Sequence, residues 1–130
     1  MRAAILMMLL AGASSTSAAA WVELGSDEPE TFTIHTDPAT VRRADNIVRM
    51  WALFDYKAAQ VVGKQTYRSE KAQQEYDCQE ERVRVLYFSD HSGNMAGGAI
   101  VLRTSMAGDW APVGPRTVNE VLWKVACWKQ

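Results

Sequence analysis

Residues 46–56 constrain the fold of this 130-residue chain more than any other stretch. They read Asn-Ile-Val-Arg-Met-Trp-Ala-Leu-Phe-Asp-Tyr. In an extended strand Val48, Met50, Ala52, Phe54 and Tyr56 share one face, and Ile47, Arg49, Trp51, Leu53 and Asp55 share the other. The first set is apolar except for one phenol, so it is predicted to face a core. The second set mixes Trp51 and Leu53 with charges, so its face is predicted to be only partly covered.

Such a strand needs partners, and other alternating runs supply them. Trp21–Leu24 and Phe32–Thr36 precede it, while Arg82–Ser89 and Ala99–Thr104 follow. In the Arg82 run, Val83, Val85 and Tyr87 are expected to oppose Arg82, Arg84, Leu86 and Phe88. Gln65–Cys78 is polar, with Tyr67 and Tyr76 as its large anchors. It reads as a strand at a sheet edge, although Glu70–Gln74 also suits a helical turn. Asp37 is placed to cap a short turn opened by Pro38. Asp90–Gly98, with its three glycines, reads as a hairpin loop.

The period changes only at the end. Thr117 and Glu120 fit a capping box, and Val118, Val121, Leu122 and Val125 recur at helical spacing. Strands first and a helix last predict an α+β fold: a single antiparallel sheet of about five to six strands, with a C-terminal helix packed on one face.

The N-terminus adds a destination. Met1-Arg2, an apolar run and the small-residue end Ala18-x-Ala20 read as a signal peptide over 1–20, leaving 21–130 as one domain. An exported chain meets an oxidising compartment, so Cys78 and Cys127, its two cysteines, are expected to form a disulfide. No cysteine lies near the cleavage site, so a lipoprotein is not expected. The formal net charge of −1 and the lack of a polybasic run point away from nucleic acid and anionic lipid. No second long apolar run follows, so no transmembrane segment is expected in the mature chain.

Catalytic patterns are missing. His35 and His91, the two histidines, sit in separate segments, no serine lies in a nucleophile elbow, and no metal-ligand spacing appears. Gly93, Gly97 and Gly98 precede a β-like run rather than the helix that a phosphate-binding loop needs. Neither cofactor nor metal is expected, and the chain is not expected to be an enzyme. Asp45, Asp55, Glu75 and Asp77 read as solvated strand ends and edge protection. The strongest candidate for function is a basic and aromatic surface. If the strands pair, Arg49, Arg82 and Arg84 present guanidinium groups beside Trp51, with Arg42 and Arg43 nearby and Trp110 as a further aromatic. Arg and Trp are the residue types that dominate binding hot spots. A plain solvated sheet face is the competing account.

The order of features also carries a resemblance. It runs through Thr36-Asp37, Val41-Arg42-Arg43, Asn46-x-Val48-x-x-Trp51-x-Leu53-x-Asp55-Tyr56 and Tyr67-x-Ser69-x-Lys71. It continues through Tyr76-Asp77-Cys78, Arg82-x-Arg84, Gly97-Gly98 and Trp110-x-Pro112-Val113 to a closing helix with Cys127. Over nearly the whole of 21–130 this resembles the surface-adhesin protein E-like family of Gram-negative bacteria. The resemblance implies an antiparallel sheet with a C-terminal helix, a Cys78–Cys127 disulfide and an envelope protein that binds host proteins. The expectation is therefore a non-catalytic binding module, periplasmic or at the cell surface, with a protein ligand. Homodimerisation through an edge strand stays open. The alternative is a small periplasmic enzyme inhibitor working through Asp90–Gly98, or an envelope-stress accessory protein.

Overall fold

The computed structural model describes residues 20–25 and 31–128. The expected leader lies outside the described residues apart from Ala20, and so does most of the Gly25–Pro29 loop.

The chain forms one open antiparallel sheet and one helix. Its strands are β1 (Val22–Glu23), β2 (Phe32–Thr36), β3 (Arg42–Ala44), β4 (Ile47–Val62), β5 (Gln65–Asp77), β6 (Arg82–His91), β7 (Ile100–Thr104) and β8 (Ala111–Pro112). They run in the order β1-β2-β4-β5-β6-β7, with β3 also paired to β4 and β8 to β6. Eight strands replace the five to six expected. The additional two, β3 and β8, are three and two residues long, too short to show a period of two. Each shares a long strand's outer edge with another short one. Thus β2 pairs with residues 52–56 of β4 and β3 with residues 47–49.

Strand β5 is central, not an edge. It pairs with β4 on one side and β6 on the other. Its polar composition suggested an edge because side-chain polarity usually marks exposure. Here the polar groups find partners within the sheet instead.

The alternation in β4 works as read. Val48, Met50 and Ala52 are fully buried with Ile34, Tyr76, Val83, Leu122 and Ala126. We call this side the helix face. Leu53 is the exception on the opposite side: it too is fully buried. It lies in register between His35 and Lys71.

Helix α1 (Val118–Ala126) closes the core with Leu122 and Ala126. Thr117 caps it, its hydroxyl accepting from the Glu120 N–H at 3.3 Å. The capping box is only half formed, because the Glu120 carboxylate accepts from Lys124 one turn later, at 3.2 Å. Val121 and Val125, expected on the buried stripe, are largely exposed. A helix this short on a twisted sheet buries a stripe only one residue wide. Two ties hold its end. The Trp123 indole N–H donates to the Asp77 carbonyl at 2.9 Å, and Cys127 bonds Cys78 just beyond β5, with Cα atoms 5.5 Å apart. Asp37 caps the short 3-10 turn Pro38–Thr40, accepting from the Ala39 N–H at 3.1 Å.

Candidate binding face of the sheet

The face opposite the helix gathers the residues singled out above. In register across β4, β5 and β6, Arg49 opposes Glu75 and Glu75 opposes Arg84; one row on, Asp77 opposes Arg82. Opposed residues share a face. Glu75 is the organiser. Its Oε2 accepts from Arg49 Nη2 at 3.2 Å, and its Oε1 accepts from Arg84 Nε and Nη2 at 2.9 and 2.6 Å. Asp77 accepts from Arg82 Nη2 at 2.7 Å, and from the backbone N–H groups of Gln79 and Glu80, which shape the β5–β6 turn. Both carboxylates are buried, which corrects their reading as solvated strand ends. A carboxylate in mid-sheet needs its charge paired, and the flanking arginines supply the pairing.

Two aromatic centres complete the face. Trp110, just before β8, carries the Arg84 and Arg82 guanidinium groups 4.7 and 5.0 Å from its ring centroid. Trp51 carries the Lys71 ammonium at 4.9 Å and meets Tyr87 edge-on at 5.6 Å. These contacts hold cations over ring faces, an electrostatically favourable placement. The arginines remain accessible: Arg49 and Arg82 expose 50% and 43% of their side chains.

Tyr87 was expected with Val83 and Val85, on the opposite side from Arg84. A bulge transfers it. Gln73 pairs with Tyr87 but Gln74 pairs with Val85, so Leu86 is the extra residue. One inserted residue reverses the side-chain alternation beyond it. Tyr87 thereby joins Trp51, and Phe88 passes to the helix face opposite Ala72. Strict alternation in the sequence carries no sign of this. Lys71 was missed for a different reason: its segment read as a solvated edge.

The Arg82 guanidinium holds the Asp77 carboxyl below its ordinary range. Burial opposes this, and the Glu80 and Gln79 N–H groups assist it. A carboxyl depressed on folding stabilises the native state above the unfolded value of about 3.9, and that contribution is lost as pH falls through the folded value. Replacing Arg82 by alanine is therefore expected to raise the Asp77 titration midpoint toward about 3.9, read by side-chain NMR. An unmoved midpoint would remove Arg82 as the cause.

The two histidines lie apart and serve structure. Thr33 Oγ1 bonds His35 Nε2 at 2.9 Å, and Ser89 Oγ bonds His91 Nε2 at 2.7 Å. Burial, then the Lys71 charge, pushes His91 toward its neutral form. Among the described residues neither imidazole is bonded to a carboxylate, and no three His, Cys, Asp or Glu groups converge as a metal would need. Asp90 and His91, expected in the hairpin loop, are the last residues of β6, and the loop 92–98 folds back onto the sheet. Asn94 Nδ2 and the Met95 N–H donate to Asp55 Oδ1 at 3.1 and 2.8 Å, and the Ala96 N–H donates to Ser69 Oγ at 2.9 Å.

An open antiparallel sheet, one terminal helix pinned by a disulfide and a cation–aromatic face together define a small disulfide-stapled α+β domain. The family model for surface-adhesin protein E matches residues 21–128, and the chain belongs to that family. Two crystal structures of Haemophilus influenzae protein E share its fold. Crystal form II has a TM-score of 0.57 at 14% identity, covering 72% of this chain and 79% of that one. Protein E from the non-typeable organism has a TM-score of 0.59 at 12% identity, covering 87% and 78%. No curated protein matches the chain in sequence. Among the described residues no helix is long and apolar enough to cross a membrane.

Proposed function

We propose that the chain is an exported, non-catalytic binding module that captures an acidic protein segment on the face built by Arg49, Trp51, Arg82, Arg84 and Trp110. One observation carries this reading. Residues from two strands and a distant loop meet on a single accessible surface, with cations stacked on aromatic rings. By register the face carries Arg42, Arg49, Lys71, Arg82, Arg84 and Arg103 against Glu23, Asp55, Glu75 and Asp77, so it is net positive. Arg and Trp in one cluster supply both hot-spot chemistries, and the surplus charge selects an acidic partner. Membership of an adhesin family supports a protein ligand at the cell surface.

The test is quantitative capture of proteins from extracellular-matrix and envelope extracts on immobilised 21–130, followed by titration with the retained protein. Arg84→Glu and Trp110→Ala are each expected to weaken that binding by at least about thirtyfold, the lower end of hot-spot losses. Failure to retain any saturable partner, or full binding by a Trp51→Ala/Trp110→Ala double variant, would sink the proposal.

A further inference from the structure

The helix face carries a second polar group, farther along the strands from Val48 and Met50. Ile34, Phe54, Glu70, Asp90 and Leu102 form one row across β2, β4, β5, β6 and β7. Glu70 and Asp90 are direct cross-strand neighbours, which places their Cβ atoms about 4.5–5.5 Å apart. Like charges so placed repel. Asp90 is only 3% exposed, and its Oδ1 has no hydrogen-bond partner among the described residues. Glu70 is only partly buried, so the pair is reached from solvent on one side. Aromatic rings stand beside it: Tyr56 meets Tyr67 edge-on at 5.9 Å and Phe32 at 6.1 Å.

The groups facing the pair are few. Strand β4 contributes Phe54 and Tyr56, β2 contributes Phe32 and Ile34, and β7 contributes Leu102. On β5, Arg68 lies two residues from Glu70 on the same face, its Nη1 turned to the Lys57 carbonyl at 3.5 Å, and Tyr67 reaches in against Tyr56. His35, Lys71, His91 and Arg103 belong to the opposite face by register. A carboxyl set beside a second carboxyl in a largely apolar row is driven toward its protonated form. Burial first, then hydrogen bonding to Asp90 and its charge, pushes Glu70 up to about 8. Burial, with the charges of Glu70, Tyr67 and Asp90, pushes Tyr56 up to about 12.

We infer that Glu70 and Asp90 form the floor of a binding site for a cationic side-chain head, an ammonium or guanidinium, walled by Phe32, Phe54, Tyr56 and Tyr67. The paired carboxyls supply charge and acceptors, including the orphaned Asp90 oxygen, and the rings supply the faces that attract organic cations. A divalent metal fits less well, because two carboxylates fall short of the six to eight oxygens that calcium takes. Binding exchanges one cation for another. The guest displaces the Glu70 proton, which leaves to solvent. Affinity therefore rises with pH as Glu70 ionises, and the guest lowers the Glu70 midpoint.

The experiment uses the folded domain and two small probes, Nα-acetyl-lysine N-methylamide and its uncharged norleucine counterpart, followed by NMR. The lysine probe is expected to cause saturable shifts at Glu70, Asp90 and Tyr56, at least about tenfold tighter than the norleucine probe. At saturation the proton affinity of Glu70 should fall at least about tenfold. Glu70→Gln keeps the shape of the protonated acid, so it should fold and still lose at least about tenfold in lysine affinity; Asp90→Asn should do the same. Absence of saturable binding, equal binding of norleucine, an unmoved Glu70 midpoint at saturation, or calcium binding without lysine binding would overturn the assignment. The wild-type titration decides the matter even if a variant fails to fold.

Discussion

Reduction of the Cys78–Cys127 bond, or its replacement by two serines, is expected to cost the domain about 4 kcal/mol, the chain-entropy value for a closed loop of this length. The separation of 49 residues spans β6, β7, β8 and all of α1. Small domains have about 5–15 kcal/mol in total, so the reduced form should sit near the edge of folding at physiological temperature. The loss should begin at the helix. Helix α1 is nine residues long and buries two side chains, too little to persist alone in water. Without the bond, the Trp123–Asp77 hydrogen bond and the Leu122 contact must hold it. Urea unfolding with and without reductant measures the effect, and an unchanged midpoint would show that the bond contributes nothing. Loss of helical circular dichroism ahead of the sheet signal is the expected order.

Tyr76→Ala is expected to be the costliest single core substitution, at about 3–5 kcal/mol. Tyr76 is fully buried on the helix face, the largest side chain so enclosed. Its hydroxyl donates to Gln74 Oε1 at 2.5 Å, so the residue fills space and satisfies a neighbour at once. Tyr76→Phe keeps the ring and leaves the Gln74 oxygen unpaired, and should cost about 1–3 kcal/mol. The ordering Ala worse than Phe, measured by denaturant unfolding, tests whether packing outweighs the hydroxyl. Tyr76 also lies between Glu75 and Asp77, whose side chains leave the strand on the other side. Tyr76→Ala should therefore disturb the arginine face too, which Arg84→Glu does without loss of the core.

The sequence carried most of the frame. The strict alternation of residues 47–53 assigned the two faces of β4, because a strand's side chains must alternate whatever surrounds it. Thr117 marked the start of the helix, since exposed backbone N–H groups there need an acceptor nearby. With Cys78 and Cys127 as the two cysteines, each had one possible partner. Arg49, Trp51, Arg82 and Arg84 could be grouped because adjacent antiparallel strands bring same-face residues together. Trp110 could be named but not placed, since β8 is two residues long and has no period to read.

Tertiary structure decided the rest. Whether β5 was edge or centre depended on partners for its polar groups, and those partners lie on β4 and β6. The Leu86 bulge moved Tyr87 to the arginine face through backbone register, a property of two paired strands rather than of either alone. Glu70 and Asp90 stand 20 residues apart in the chain and became direct cross-strand neighbours only when β5 and β6 aligned. A sequence specifies local period, caps and cysteine count through near-neighbour chemistry. Register, bulges and burial arise from contacts between distant segments, so they were settled only when the sheet closed around its core.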